Sequence, residues 1–219
     1  ERLPPAMPEY RRILLDGAVV QTVRDGDELV AGGDGRRVKT DDAHHLPPVV
    51  PPSKIIAVHL NHRSRVEEFQ IRLPDTPTYF HKPTSALNSH RGAPSCAPEG
   101  CKWLNYEGEV AIVIGRTART IAPEEAGGEY IAGYTVANDY GLHDFRDTDA
   151  GSMLRVKGSD TLCPLGPPGL VTDWDFRSKR LRTYVNGEVV QDGSTDEMTW
   201  DMHYLVADIA PHHHPVPPR

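Results

Sequence analysis

The chain has 219 residues, of which 38% are hydrophobic and 25% are charged, and its 31 acidic against 24 basic side chains give a formal net charge of −7. This balance, without any Lys/Arg-rich block, argues against nucleic acid or an anionic membrane surface as the main partner. No apolar stretch approaches the roughly 18 to 20 residues of a membrane span, and the first residues lack the apolar core of a signal peptide. The three cysteines are too few for a disulfide scaffold, so we expect a cytoplasmic protein.

Residues 1–52 predict a small β domain followed by a proline-rich connector. Residues 10–20 and 24–30 are typical of short strands joined at Asp-Gly turns, which together form a β-meander. Residues 44–53 contain four prolines and few residues that could join a sheet. We therefore expect an extended connector there and a domain boundary near Pro52.

Residues 53–210 predict a larger, strand-rich domain. Strand-like apolar runs and one hairpin occupy residues 54–61, 78–83, 104–115, 130–139 and 181–190. The hairpin prediction depends on Asn186-Gly187, a pair that suits a type I′ turn. The polar segments 62–69 and 140–153 are each consistent with a short helical turn or a loop, and residues 157–168 are rich in turn formers.

The end of the chain predicts one amphipathic helix and a tail. Ser194 and Glu197 have the spacing of a capping box, which predicts that the helix begins there. Its apolar positions recur at helical spacing and are Met198, Met202, Leu205, Val206 and Ile209. Pro211 should end the helix, and residues 211–219 predict an unstructured tail.

Three acidic residues suggest a metal site. Glu107 and Glu109 lie two residues apart in the run 104–115, and alternation along a strand would point both carboxylates the same way. Asp139 ends the next apolar run. Three oxygen donors suit Mg²⁺, Mn²⁺ or Ca²⁺ better than zinc. The spacing of Glu107 and Glu109 alone also fits a solvated acidic surface.

Five motifs in combination resemble the fumarylacetoacetate hydrolase family. They are residues 54–61 (KIIAVHLN), 80–83 (FHKP), 106–115 (YEGEVAIVIG), 131–139 (IAGYTVAND) and 157–167 (KGSDTLCPLGP). Within the family, residues 60–69 and 139–146 are most similar to bacterial 5-carboxymethyl-2-hydroxymuconate isomerases and their decarboxylase counterparts. The resemblance covers residues 54–210.

The resemblance implies a fold and a cofactor. The fold would be mainly β (α+β), a mixed β-sandwich roll with a few short helices, and the protein would be a homodimer. Mg²⁺ or Mn²⁺, with Ca²⁺ as a further possibility, would be bound by Glu107, Glu109 and Asp139.

The resemblance and the residue chemistry together suggest further site residues. Lys157, and as a weaker candidate Lys82, would neutralise a substrate carboxylate or an enolate. His143 would shuttle protons, and Arg146 would bind the remote carboxylate of a dicarboxylate substrate. A helical turn after Asp139 would bring His143 and Arg146 to the metal.

Two acidic residues and one arginine complete the predicted site. Glu68 or its neighbour Glu67 would supply an acid from a mobile lid. Arg65 stands where many members of the family have a histidine that helps to activate water, and it would contact substrate instead. Hydrolysis is therefore less favoured than proton transfer.

These residues predict an isomerase or decarboxylase that acts on a 2-oxo or 2-hydroxydienoate dicarboxylate through a metal-bound enolate, as in aromatic-acid (homoprotocatechuate) catabolism. An acylpyruvate or fumarylacetoacetate-type hydrolase and an oxaloacetate decarboxylase are alternatives. A third alternative is an inactive, truncated remnant of the family, because the sequence after Ala210 is not expected to match the further strands of other members.

Overall fold

An antiparallel five-stranded sheet forms the N-terminal part of the chain. The computed structural model describes residues 9–92, 99–149, 151–166, 169–172 and 174–213. The strands of the first sheet are β1 (Tyr10–Leu15), β2 (Ala18–Asp25), β3 (Glu28–Ala31), β4 (Arg37–Lys39) and β5 (His44–His45), in the order β4-β3-β2-β1-β5. Asp16 and Gly17, with φ of 51° and 78°, make the turn between β1 and β2, which confirms the predicted meander.

The proline-rich connector contacts both parts of the chain. The Arg12 guanidinium of β1 donates hydrogen bonds to the carbonyl oxygens of Pro47 and Val49, at 3.0 and 2.6 Å. The side chain of Val49 is buried against Val113 and Leu165 in the core of the larger part. The connector therefore joins the N-terminal sheet to that core through packing and hydrogen bonds.

The remaining elements are short and mostly strands. In chain order they are β6 (Ile55–His59), α1 (Arg63–Phe69), β7 (Thr78–Lys82), β8 (Leu87–Asn88), β9 (Leu104–Asn105), β10 (Gly108–Ile114), α2 (Pro123–Tyr130), β11 (Ile131–Asn138), β12 (Gly141–Leu142), α3 (Leu154–Lys157), β13 (Cys163–Pro164), β14 (Arg180–Val185), β15 (Glu188–Ser194) and α4 (Met202–His213). Short 3₁₀ turns cover Thr84–Ala86, His143–Phe145 and Thr195–Glu197. Within the described ranges, no helix combines the length and the apolar character needed to cross a membrane.

Strands pair two by two around this part of the chain. The antiparallel pairs are β6 with β7, β10 with β11, β12 with β9, and β14 with β15. The pair of β13 with β8 is parallel. The predicted hairpin is confirmed, since Asn186 and Gly187 have φ of 52° and 86°. The expected single strand over residues 104–115 is interrupted, because Leu104 and Asn105 pair with β12 while β10 begins only at Gly108.

The β10–β11 pair lies between two apolar clusters. Ala111 and Val113 pack in one cluster with Val49 and Leu165, whereas the alternate residues of β10 belong to a second cluster. That second cluster contains Val110, Ile112, Tyr134, Phe176 and Met202. Because side chains alternate along a strand, burial of both faces fixes the direction in which each residue of β10 points.

The C-terminal helix differs from the prediction at both ends. Ser194 caps only a 3₁₀ turn, where its Oγ accepts a hydrogen bond from the Asp196 amide at 3.1 Å. α4 begins at Met202, and the Asp201 carboxylate accepts a hydrogen bond from the Tyr204 amide at 2.8 Å, as an N-cap residue does.

The helix also continues beyond the expected stop. α4 includes Pro211 and ends at His213, so the predicted stop at Pro211 is wrong. Proline removes one backbone donor but its φ is compatible with a helix, so the chain can continue at the cost of a hydrogen bond. The predicted tail beyond this point, residues 214–219, lies outside the described residues.

Replacing Asp201, the N-cap residue of α4, should destabilise the chain more than replacing Ser194, where the capping-box pattern predicted the start of the helix. We expect Asp201→Ala to lower the free energy of unfolding by about 1 kcal/mol, because the first turn of α4 loses its side-chain acceptor. Urea titration followed by far-ultraviolet circular dichroism measures this change. Ser194→Ala is the comparison. A larger decrease in the free energy of unfolding for Ser194→Ala than for Asp201→Ala would contradict the assignment of Asp201 as the N-cap residue.

Candidate metal centre

Three carboxylates converge at the end of the β10–β11 pair. Oxygen atoms of Glu107, Glu109 and Asp139 all lie within 4.8 Å of one another. Glu109 pairs in register with Ala137, and the amide of Asp139 donates a hydrogen bond to the carbonyl oxygen of Glu107 at 2.9 Å. Because Glu107 and Glu109 are two residues apart and Asp139 is two residues beyond Ala137, the alternation of side chains brings all three to one face.

Lys157 balances part of this negative charge. Its ammonium group lies 3.0 Å from a carboxylate oxygen of Glu107 and 2.9 Å from one of Asp139, and it donates to the Asp139 carbonyl oxygen at 3.0 Å. The side chain is only 4% exposed. Although burial disfavours the charged form, the carboxylates of Asp139 and Glu107 raise the pKa of Lys157, so the ammonium form is retained.

Lys82 is the second buried cation. Its ammonium group forms an ion pair with Asp139 and donates a hydrogen bond to the carbonyl oxygen of Tyr140 at 3.3 Å. The side chain is 1% exposed. A buried charge requires such a partner, so the geometry directs Lys82 to Asp139, whereas the sequence assigned it to substrate.

Glu109 has a raised pKa within the cluster. Burial, followed by the negative charges of Asp139 and Glu107, raises the pKa of Glu109 to about 8. The positive charges of Lys157 and Lys82 oppose this shift but do not cancel it. The carboxyl group of Glu109 therefore holds its proton near neutral pH unless a further positive charge is present.

Two asparagines that sequence reasoning missed orient Glu107. The Asn105 side-chain amide donates to a Glu107 carboxylate oxygen at 3.0 Å, and the Asn138 side-chain oxygen accepts from the Glu107 amide at 3.0 Å. Each asparagine stands within two positions of a carboxylate in the sequence, which was the available signal. Their effect is to fix the backbone and the side chain of Glu107 together.

The donor set fits a hard divalent cation. All three candidate ligands are carboxylates, as Mg²⁺, Mn²⁺ and Ca²⁺ prefer, and three ligands leave about half of roughly six coordination positions for other oxygens. If all three carboxylates are ionised, the two lysines leave one negative charge that a bound cation would neutralise. Burial is the first cause of the raised pKa of Glu109, and the negative charges of Asp139 and Glu107 add to it.

His143 lies beside the cluster, at an open cleft. Both His143 and Lys157 pack against Gly141, where an added Cβ would meet each side chain at 3.3 Å. An open cleft of about 210 Å³ is lined by Trp103, Leu104, Asn105 and His143. Since Asn105 also contacts Glu107, the cleft and the carboxylates adjoin.

His143 is biased toward its neutral form. Burial lowers the pKa of His143, and the positive charge of Lys157 adds to that effect while Glu107 opposes it. The charges of Arg146 and Arg65 lower the pKa further. A neutral imidazole near pH 7 can accept a proton.

Arg146 and Arg65 are brought together at Phe69, the last residue of α1. Their guanidinium carbons lie 5.2 and 4.2 Å from the centre of its ring. The expected helical turn from Asp139 to Arg146 is wrong, because Gly141 and Leu142 pair with β9 and helical turns begin only at His143. Strand pairing of those two residues excludes helical backbone angles.

The predicted lid acids lie on α1. The Glu68 carboxylate accepts a hydrogen bond from Arg65 at 2.7 Å, and its side chain is 62% exposed. Glu67, the alternative acid, is also exposed. Glu68 is thus engaged by Arg65, and the three-carboxylate cluster found among the described residues does not include it.

Comparison with known proteins identifies the family. The sequence model described as fumarylacetoacetate (FAA) hydrolase C-terminal matches residues 54–215. The chain therefore belongs to the fumarylacetoacetate hydrolase family. The match continues past Ala210, so our expectation that the similarity ends there is wrong.

Individual relatives share part or most of their length with this chain. An uncharacterized protein of Archaeoglobus fulgidus is 39% identical over 187 residues, which are 85% of this chain and 72% of that protein. The 4-hydroxyphenylacetate degradation bifunctional isomerase/decarboxylase of Salmonella dublin is 34% identical over 164 residues, which are 73% of this chain but 37% of that protein. The chain thus spans little more than a third of the length of the bifunctional relative.

A solved structure confirms the fold. The 5-carboxymethyl-2-hydroxymuconate delta-isomerase of Mycobacterium smegmatis matches with a TM-score of 0.82 and 34% identity, over 96% of this chain and 84% of that one. The predicted mainly β architecture with a few short helices is therefore confirmed.

The raised pKa of Glu109 predicts that stability depends on pH. The pKa is 4.5 for an ordinary glutamic acid and about 8 in the folded chain, so between these values the native state binds more protons than the unfolded state. The stabilisation from this group is therefore complete below about pH 4.5 and is lost as the pH rises through about 8.

The experiment compares wild type with Glu109→Gln after treatment with a chelator. Urea titrations at about pH 5 and about pH 8 should show that the unfolding free energy of wild type falls relative to the variant. Parallel pH dependence in both proteins would contradict the burial of a protonated Glu109.

Proposed function

We propose that this chain is a divalent-metal-dependent isomerase or decarboxylase that acts on a 2-oxo or 2-hydroxydienoate dicarboxylate. The observation that carries the proposal is the convergence of three carboxylates beside a cleft that contains His143. A relative with isomerase/decarboxylase in its name supports the reaction type. A structural neighbour named as a 2-hydroxyhepta-2,4-diene-1,7-dioate isomerase supports the substrate class.

Glu107, Glu109 and Asp139 would hold the metal, Mg²⁺ or Mn²⁺ by preference. When bound there, such an ion supplies Lewis-acid withdrawal of charge from a substrate oxygen. Asn105 and Asn138 keep Glu107 in place through the 3.0 Å contacts that each makes. Lys82 likewise holds Asp139 through their ion pair.

His143 is the residue best placed to move the proton. It lines the cleft, and its lowered pKa leaves an imidazole nitrogen free to accept a proton from a substrate carbon at neutral pH. The positive charges of Lys157, Arg146 and Arg65 reach His143 as well, since each lowers its pKa. The same imidazole can return the proton to another carbon, which is what an isomerase requires.

Lys157 would act through its charge. Two carboxylate oxygens and one carbonyl oxygen occupy its three N–H donors. A fixed ammonium group next to the reacting atoms favours negative charge that develops on the substrate, without having to move.

Arg146 and Arg65 would recognise the remote carboxylate of the substrate. Both guanidinium groups lie over the Phe69 ring, and the positive charge of each lowers the pKa of His143, which lines the cleft. A guanidinium can bind a carboxylate through two parallel hydrogen bonds. This pair favours a dicarboxylate over a short 2-oxo monoacid.

Proton transfer is favoured over hydrolysis. In hydrolases of this family a lid acid is expected to activate water, yet the Glu68 carboxylate, the candidate lid acid here, is engaged by Arg65 at 2.7 Å. Arg65 also stands where many relatives are expected to carry the histidine that supports such a base. The site therefore favours isomerisation or loss of CO₂ without addition of water.

Loss of one candidate ligand should weaken metal binding strongly. We expect Glu107→Gln to reduce Mn²⁺ affinity at least about 100-fold, because even residues that only orient ligands contribute about 10- to 100-fold. Isothermal titration calorimetry measures the affinity. Glu124→Gln, an exposed acidic residue in the first turn of α2, is the matched control and should bind as wild type does.

Two results of that titration would contradict the proposal. Millimolar Mn²⁺ and Mg²⁺ that produce no heat with wild type would favour the inactive alternative. Equal affinities of Glu107→Gln and wild type would place the metal elsewhere.

Removal of the imidazole should abolish the acid limb of the pH–rate profile. With 2-hydroxyhepta-2,4-diene-1,7-dioate, a dicarboxylate of the proposed class, as substrate, wild-type kcat/KM should rise with pH, and the midpoint of this rise should lie below the ordinary histidine value of 6.5. His143→Gln should lower kcat about 10²- to 10⁴-fold and lose this limb. His81→Gln, an exposed histidine on β7, is the control, and an unchanged profile in His143→Gln would remove His143 from the mechanism.

A further inference from the structure

We propose that Gln191 on β15 is a positioning residue for the metal centre, which it controls by clamping the backbone between Glu107 and Glu109. The inference rests on the proposed metal site. The Gly108 amide donates to the Gln191 side-chain oxygen at 2.8 Å, and the Gln191 side-chain nitrogen donates to the Gly108 carbonyl oxygen at 2.7 Å.

This contact replaces a neighbouring strand. β10 is hydrogen-bonded to β11 on one side, whereas the β14–β15 pair forms a separate sheet. Glu107 bonds toward β11 through Asn138 and Asp139, and backbone groups of the next residue point the opposite way along a strand. The side-chain amide of Gln191 therefore gives Gly108 the two hydrogen bonds that one residue of an adjacent antiparallel strand would give.

Gln191 is itself held in orientation by Thr183. These two residues are register partners in the β14–β15 pair, and the Thr183 hydroxyl donates to the Gln191 side-chain oxygen at 3.0 Å. That oxygen thus accepts from both the Gly108 amide and Thr183. The opposite side-chain amide orientation would place the Gly108 N–H against an NH₂ group and the Gly108 carbonyl oxygen against the side-chain oxygen.

Gly108 is required for this close approach. A Cβ at Gly108 would lie 2.1 Å from the Thr183 hydroxyl oxygen and 3.1 Å from the Gln191 side-chain oxygen. The β14–β15 hairpin therefore contacts the backbone of Gly108, which lies between the candidate ligands Glu107 and Glu109. A shift of this backbone moves both carboxylates together, which links the β14–β15 hairpin to metal affinity.

Only an amide side chain of this length satisfies both Gly108 groups. Glutamate would accept from the Gly108 amide but could not donate to its carbonyl oxygen, and leucine would do neither. The Gln191→Glu variant also distinguishes an effect of charge alone from the effect of the backbone clamp. If charge alone mattered, an added carboxylate near the site would tighten cation binding, whereas the clamp requires that it weaken binding.

The test is Mn²⁺ affinity by calorimetry for Gln191→Leu and Gln191→Glu, with thermal unfolding of each metal-free variant as a check on folding. We expect both substitutions to weaken binding about 10- to 100-fold. Glu188→Gln, an exposed residue of the same strand, is the control and should leave affinity unchanged. Thr183→Val removes only the support of Gln191 and should weaken binding less, in the same direction; it also serves if the Gln191 variants fail to fold.

The outcomes separate this inference from the proposed function. Wild-type affinity in Gln191→Leu, or tighter binding in Gln191→Glu, would overturn the clamp and leave the metal site intact. Absence of Mn²⁺ binding by wild type would overturn both. If Gln191→Leu and Gln191→Glu do not fold, wild-type affinity in a folded Thr183→Val would also overturn the clamp.

Discussion

Mutual repulsion among three carboxylates is the constraint on which this site depends. Their oxygens lie within 4.8 Å of one another, a distance at which like charges in a poorly solvated setting strongly oppose ionisation. Two lysines, each less than 5% exposed, supply positive charge, and Glu109 retains a raised pKa nonetheless. The divalent cation that we propose would relieve this repulsion.

The fold sustains this repulsion because β10 and β11 are held from both sides. Val113 and Leu165 fix one apolar face, and Ile112 and Tyr134 fix the other. A slip of one residue would send the carboxylates to the wrong face and would expose the apolar side chains. Hydrophobic burial along the strands thus supports an arrangement of charges at their end that would otherwise separate.

The surroundings of the cluster divide its tasks among different elements. The cleft is lined by Trp103, which precedes β9, and by His143 in the turn after β12. α1 contributes Arg65 beside Arg146, and the β14–β15 hairpin reaches the ligand backbone through Gln191. In the proposed mechanism, elements distant in sequence would therefore provide proton transfer, carboxylate recognition and ligand positioning.

Local sequence determined the strands, the Asp-Gly and Asn-Gly turns and the three candidate ligands, because alternation and turn preference act between residues near in sequence. The start of α4 was also encoded locally, by Asp201, although the capping-box pattern drew the prediction to Ser194. The path after Asp139 was not encoded locally, because β12 forms by pairing with β9, whose Asn105 stands 36 positions before its partner Gly141.

Tertiary structure alone decided which charges meet. Lys82 and Asp139 are 57 residues apart, and Gln191 and Gly108 are 83 residues apart. No spacing rule reaches over such distances, since these contacts depend on how separate strand pairs pack. The sequence could therefore name the candidate acidic ligands and the candidate basic residues. Only the fold showed that the lysines serve the carboxylates and that a side-chain amide holds the strand between them.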